Sequence, residues 1–238
     1  MTEDRPLLVL DTATRTPVVG LARADGVLLD ASRGESRHRH GEELLQRLDD
    51  LLGRAGVDRR ALGGVIVGTG PGSFTGLRIG LATAKVVAYG LGVLLVGISS
   101  TRALGLAAAR AGAIGQDLAV TLPAGSVDRY VHAVRVNGDA VEQLAPPRLV
   151  ATDEEFEDAA AKATIVAIDL DGSVVDADAM DRGRQAVTGL AGALAALGAA
   201  ALMDGQRDDP AQLVPAYVAL PRGIARAAAE MEWSPDLR

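Results

Sequence analysis

The chain has 238 residues, 48% of them hydrophobic, and a formal net charge of −7. The composition supports a packed core, and the length favours two domains over one. The negative charge argues against binding a polyanion over the whole surface. The absence of cysteine excludes disulfides, thiolate nucleophiles and cysteine zinc sites.

The first half of the chain predicts a mixed sheet flanked by helices. Apolar runs at residues 6–10, 18–24 and 27–32, separated by turn signals, predict three antiparallel strands. Leucines at helical spacing between Leu44 and Leu52 predict a helix, and residues 65–68, 76–90 and 93–98 predict a strand, a helix and a strand. The order β-β-β-α-β-α-β is that of an α/β domain of the actin, hexokinase and Hsp70 (ASKHA) type.

The second half predicts a shortened version of the same arrangement. Strands are expected at residues 118–122, 130–136 and 141–144, then a helix at 153–163, a strand at 164–169 and a helix at 185–202. We therefore predict an N-terminal domain at residues 1–104 and a smaller α/β domain at 105–238. The tail from about residue 205 is expected to pack back on the first domain.

Two features of the sequence bear on its location. The first residues carry acids and a short apolar run, which does not fit a signal peptide, so we expect a cytoplasmic protein. Residues 186–203 lack charge, but their many Gly and Ala residues make them weakly hydrophobic, so we expect a buried helix and no contact with a membrane.

The segment GTGPGSFTGLRIG at residues 68–80 lies at a predicted strand-to-helix junction. It lacks the Gly-Lys pair of a Walker A loop and the third glycine of a dinucleotide fingerprint. Two interpretations remain, which are a phosphate loop and a tight turn capped by Ser73 or Thr75 that serves packing.

Residues 70–80 resemble the signature of the TsaB family, and residues 10–14, 40–42 and 96–100 match the family in order and spacing. The resemblance implies an ASKHA fold and a non-catalytic subunit of the bacterial machinery that makes N6-threonylcarbamoyladenosine in tRNA. It implies binding to the catalytic paralogue TsaD, help in recruiting the ATPase TsaE, a homodimer when alone, and contact with tRNA only through the complex. No cofactor or metal is expected on this chain, since ATP and a metal belong to other subunits.

The resemblance further implies that the first and second helices form the partner interface. The residues predicted for it are Leu44, Leu48, Leu52, Gly76, Leu77, Arg78, Gly80, Leu81 and Ala84. The stripe of small residues in the second helix fits close approach of a partner helix, but it fits packing on the protein's own sheet equally well. Arg78 lies in the first helical turn, where a cation is disfavoured, so we expect an acidic partner residue or an anion beside it.

A vestigial nucleotide or phosphate site is the other candidate. Its predicted residues are Asp11, Thr12, Gly70, Gly72, Ser73 and Thr75. Asp11 follows the first strand, where it is either a relic of a nucleotide site or a turn cap. The alternative function is an independent actin-like ATPase or kinase-like enzyme that uses the loop at residues 70–76, whereas peptidase activity would need a metal site that the residues do not supply.

Two further questions stay open. Residues 123–125 and Ala219 stand where the family usually carries arginines, and whether their absence weakens partner recruitment is open. Arg33, Arg37, His38, Arg39 and His40 form either a solvated loop or a patch that faces RNA or a partner.

Overall fold

The computed structural model describes residues 5–34, 40–113, 115–125, 127–172 and 175–218. Along them the first-half elements are β1 (Leu7–Asp11), β2 (Val18–Ala22), β3 (Leu28–Arg33), α1 (His40–Ala55), β4 (Gly64–Gly68), α2 (Phe74–Leu91) and β5 (Leu94–Ile98). They continue with α3 (Ser100–Arg110), β6 (Asp117–Pro123), β7 (Arg129–Asn137), β8 (Ala140–Gln143), β9 (Arg148–Val150), α4 (Asp153–Ala160), β10 (Thr164–Ala167) and α5 (Ala177–Met203).

The strands form two mixed sheets. The first has the order β3-β2-β1-β4-β5, in which β1, β2 and β3 are antiparallel while β4 and β5 run parallel to β1. The second has the order β10-β6-β7-β8, with β9 also pairing with β7, and β10 parallel to β6. The predicted α/β class with two mixed sheets is confirmed, and β6, β7, β8 and β10 repeat the arrangement of β1, β2, β3 and β4.

Helices cover both sheets in layers. α1 and α2 pack on one face of the first sheet, α3 and α5 lie between the two sheets, and α4 packs on the far face of the second. Side chains of both sheets join one core around α3 and α5. The predicted boundary after residue 104 falls inside α3, within this shared core.

Strand β1 shows that the first sheet is covered on both faces. All five of its residues are buried, with Leu7 and Val9 in the core shared with α5, and Leu8 and Leu10 in the core under α1 and α2. A strand covered on both faces reads as a continuous apolar run, which is the pattern that the sequence shows.

Helix α5 extends further than predicted, because it begins at Ala177 and not at residue 185. Asp176 caps it by accepting a hydrogen bond from the Ala179 backbone N–H at 2.6 Å. Among the described helices it alone is long and apolar enough to cross a membrane, and half of its most apolar stretch is buried. A core helix packed between two sheets has the same length and apolar composition.

The segment that follows α5, residues 205–218, is called the strap here. It crosses the edge strand β5, where Asp208 donates its N–H to the Leu95 carbonyl at 2.9 Å and accepts from the Gly97 N–H at 2.7 Å. Ala216 then donates its backbone N–H to the Thr69 carbonyl at 2.8 Å. The strap thus connects α5 to the beginning of α2.

Candidate functional site

Asp11 ends β1 and is sealed inside the protein. Its carboxylate accepts hydrogen bonds from the Ala13 N–H at 2.8 Å and from the Ser100 hydroxyl at 2.6 Å. Burial raises the pKa of Asp11 to about 6, and the two hydrogen bonds oppose that shift. With 1% of the residue exposed, the carboxylate offers no surface to a metal or a nucleotide.

The glycine-rich segment packs directly on the residues that follow β1. β-Carbons built on four glycines would overlap residues 11–13, and these are Gly68, Gly72, Gly76 and Gly80. Thr12 donates its hydroxyl to the Gly76 carbonyl at 2.8 Å, and Ser73 donates its N–H to the Ala13 carbonyl at 2.8 Å. The chain itself therefore fills the space that the missing side chains leave.

The other predicted loop residues have local roles. Gly70 adopts a positive φ of 96° and donates its N–H to the Ser100 hydroxyl at 3.0 Å. Ser73 is the N-cap of α2, because its hydroxyl accepts from the Gly76 N–H at 3.1 Å, while Thr75 is exposed. These contacts favour the packing interpretation of the loop over the phosphate interpretation.

A cleft of about 630 Å³ lies between the outer side of this loop and the β6–β7 connection. The ionisable side chains among its described lining residues are Asp128, Tyr130 and Tyr217. Burial and the nearby charge of Asp128 raise the pKa of Tyr130. Because these lining residues include no Lys or Arg, the cleft lacks the cationic side chains that usually hold phosphate. Across the described residues, no group of three or more His, Asp or Glu side chains could hold a metal.

Most of the residues predicted for the partner interface are buried within the protein itself. Eight of them form part of the buried interior of the monomer, namely Leu44, Leu48, Leu52, Gly76, Leu77, Gly80, Leu81 and Ala84. The small-residue stripe of α2 thus faces the protein's own sheet and residues 11–13. Arg78 is exposed. The exposed surface of these two helices is their outer side.

That outer side carries apolar side chains that the sequence argument missed. Along α2, Arg78, Ala82, Val86 and Tyr89 are exposed at helical spacing, and Leu45 is exposed on the neighbouring α1. Val86 is 71% exposed and Tyr89 84% exposed. We call these five residues the outer face. The signal available in the sequence was a second apolar spacing, from residue 82 to 86 to 89, beside the small-residue stripe.

Arg78 is held in a defined position near the beginning of α2, one turn after Phe74. Its Nε donates to the Tyr217 hydroxyl of the strap at 3.0 Å, and its guanidinium carbon lies 3.9 Å from the centre of the Phe74 ring. The Phe74 and Tyr217 rings pack at 5.2 Å. Because α2 begins at Phe74, two residues earlier than predicted, Arg78 lies beyond the first turn, where the effect of the helix dipole has fallen off. Its contacts are a ring face and a neutral hydroxyl, and no described carboxylate forms an ion pair with Arg78.

Comparison with known proteins identifies the family. The family model described as "TsaD: tRNA N6-adenosine threonylcarbamoyltransferase" matches residues 34–178, which is more than half of the chain. The chain belongs to this family. The TsaB proteins of Escherichia coli and Haemophilus influenzae are 33% and 32% identical to it over 94 and 109 residues.

The matched segments cover only part of each relative. An uncharacterised protein of Mycobacterium tuberculosis is 32% identical over 147 residues, which cover 58% of this chain and 65% of the relative. The match covers 40% of the E. coli TsaB and 42% of the H. influenzae TsaB. The chain thus spans less than two thirds of each of these curated relatives.

A solved structure extends the likeness in fold over nearly the whole chain. The YeaZ structure from Pseudomonas aeruginosa superposes with a TM-score of 0.69 at 23% identity, covering 90% of this chain and 99% of YeaZ. The predicted ASKHA-like fold and the predicted TsaB likeness are both confirmed, and this TsaD-family chain is TsaB/YeaZ-like.

The second half of this TsaB/YeaZ-like chain contains a buried histidine. His132 is 1% exposed, and its Nδ1 lies 2.6 Å from the Thr101 hydroxyl. Burial lowers the pKa of His132 to about 4, with Arg102 contributing and Gln143 opposing. The neutral ring therefore joins α3 to the second sheet and contacts neither the cleft nor the outer face.

The remaining predicted features lie at the limits of the described residues. Arg33 is exposed and donates to the Thr188 carbonyl at 2.7 Å. Arg37, His38, Arg39 and the side chain of His40 lie outside the described residues, as does Ala219. Residues 123–125 line the cleft.

Proposed function

We propose that the chain is a non-catalytic, cytoplasmic subunit of the bacterial tRNA N6-threonylcarbamoyladenosine synthesis complex. In this proposal its outer face binds a TsaD-like catalytic paralogue, and the pair helps recruit a TsaE-like ATPase. The same face forms a homodimer when the chain is alone, and tRNA is contacted through the complex. The family membership and the TsaB relatives support the pathway.

The observation that carries the proposal is the exposure of large apolar side chains on one side of helix α2, whose other side is buried in the core. Val86 and Tyr89 project into solvent from a helix whose opposite side is anchored in the core by Leu81 and Ala84. Exposed apolar side chains grouped on one helix mark protein interfaces. An interface centred on them and on Leu45 would bury about 1,200–2,000 Å² in total.

The geometry around Asp11 supports a non-catalytic role. An ATPase or kinase-like enzyme using this loop would need a carboxylate that a metal or nucleotide can reach. Asp11 is buried and bonded to Ala13 and Ser100, and residues 11–13 fill the space beside the glycines. The loop is thus built for packing, which disfavours the enzyme alternative.

The test is binding of the chain to a purified TsaD-family catalytic protein from the same organism, measured by titration calorimetry. We expect a complex, and we expect V86E to weaken it about 100-fold, because the substitution buries a carboxylate where a valine packed. The matched control is M203E, since Met203 is 62% exposed at the end of α5, away from the outer face. A complex that tolerates V86E, or no complex between folded proteins, would overturn the proposal.

A further inference from the structure

Arg78 is oriented by two residues that come from distant parts of the chain. Phe74, one turn earlier in α2, supports the guanidinium from one side at 3.9 Å. Tyr217, in the strap, accepts from Nε at 3.0 Å and packs against Phe74. An arginine stacked on a ring and bonded through Nε has few remaining rotamers, so its two terminal amino groups keep a fixed direction.

Those terminal groups have no acid to pair with in the described part of the chain. Six other exposed arginines form local ion pairs, namely Arg23–Asp25, Arg54–Asp30, Arg59–Asp49, Arg110–Asp139, Arg148–Asp158 and Arg184–Asp181, whereas Arg33 is exposed and forms none with a described residue. Arg78 has no such ion pair with a described residue, although Phe74 and Tyr217 hold it in place. Within the described part of the chain this leaves an oriented cation without a carboxylate, which a partner can supply.

The surroundings of Arg78 select a protein carboxylate as its counterpart. Arg78 lies at one end of the outer face, one turn from Ala82 and two turns from Val86. Apolar neighbours suit a protein partner, whereas a chain of net charge −7 repels a polyanion such as RNA at long range. The planar guanidinium fork matches the two oxygens of a carboxylate.

We propose that Arg78 is the charged specificity determinant of the outer face. It binds a carboxylate of the TsaD-like partner through its terminal amino groups, and Phe74 and Tyr217 are the residues that position it. The strap therefore contributes to partner recognition through Tyr217 without forming the apolar contact itself. This inference rests on the proposed function, and it names the partner chemistry of the same face.

The test compares R78A, R78K and Y217F in titrations against the same TsaD-family protein at low and high salt. R78A should weaken binding about tenfold and flatten its salt dependence, because a charge pair is lost. R78K should be weakened to nearly the same extent, because an ammonium cannot form the fork. Y217F keeps the ring and loses the acceptor, and should weaken binding about threefold. R23A, which breaks an exposed pair on the β2–β3 turn, is the matched control and should bind as the unaltered chain does.

The outcomes separate this inference from the proposed function. If V86E abolishes binding while R78A binds normally, the outer face stands and the role of Arg78 is refuted. If R78K binds with the same affinity as the unaltered chain, a role for the oriented guanidinium fork of Arg78 is refuted. Loss of tRNA binding in R78A with partner affinity unchanged would assign Arg78 to RNA and overturn the inference. If the unaltered proteins do not bind at all, both proposals fail.

Discussion

Asp11 illustrates how a residue at a suggestive position can serve the fold alone. Its place after the first strand fits both a metal-binding relic and a turn cap, and the sequence does not distinguish them. The structure favours the turn cap, because the two carboxylate oxygens of Asp11 accept from Ala13 and Ser100 and solvent is excluded. Ser100 is far from Asp11 in sequence, which is why the pairing was not predictable from local pattern.

Burial of Asp11 predicts a pH-dependent stability. The pKa rises from 3.8 to about 6 on folding, so between these values the folded state holds a proton that the unfolded state has released. The free energy of unfolding should therefore fall as pH rises through this window, by about 3 kcal/mol at 1.36 kcal/mol per pKa unit. Urea unfolding of the chain and of D11N at pH 4 and pH 7.5 checks this. The difference in free energy of unfolding between D11N and the unaltered chain should shift in favour of D11N from pH 4 to pH 7.5. Parallel pH profiles of the two proteins would contradict the raised pKa of Asp11.

At the level of elements, two glycines of helix α2 lie in different surroundings, one tightly packed and one open. A β-carbon at Gly76 would overlap the Thr12 backbone oxygen, whereas one at Gly90, in the same helix, would meet nothing within 4 Å. Helix propensity alone favours alanine over glycine at both positions by about 0.5–1 kcal/mol. Packing should reverse that preference at Gly76 only.

The variants G76A and G90A test this difference. G76A should lower the free energy of unfolding by about 1–3 kcal/mol, because residues 11–13 must shift to admit the methyl group. G90A should raise it by about 0.5–1 kcal/mol. Chemical denaturation of both variants is the measurement, and a stabilised G76A would mean that the loop is open.

Helices and strands were predicted correctly where apolar residues recur at a clear spacing. They were missed where burial on all sides leaves no polar face to mark that spacing. The strands of the first sheet and the leucine-faced α1 follow from their patterns. Helix α3 was not predicted because its residues from Ser100 to Ala108 are buried on nearly every side, so no polar face marks the period. Its available signals were the N-cap Ser99 and Arg110 in the last turn.

On the scale of the whole molecule, the sequence predicted the fold class but not which side of α2 faces outward. Both the small-residue stripe and the 82–86–89 stripe have helical spacing, and only the position of the sheet decides between them. The contact of Tyr217 with Phe74 and Arg78 likewise joins residues more than a hundred positions apart. Such long-range contacts depend on the strap crossing β5, which no local pattern reveals.

The two halves of the chain share one hydrophobic core beneath the outer face. α5 contacts strands of both sheets, and α3 links Asp11 of the first to His132 of the second through Ser100 and Thr101. The outer face is thereby carried on a continuous core. If the outer face is the interface we propose, this shared core favours a surface that is already formed before the partner binds.

The most direct test of the account is site-specific crosslinking from α2. Since the chain has no cysteine, A82C can be labelled uniquely with a photoreactive maleimide at the centre of the outer face, and M203C provides the matched control. On irradiation with a purified TsaD-family protein from the same organism, we predict a crosslinked heterodimer from A82C and none from M203C. Equal crosslinking from both positions, or none from A82C while the two proteins still bind each other, would contradict the central claim.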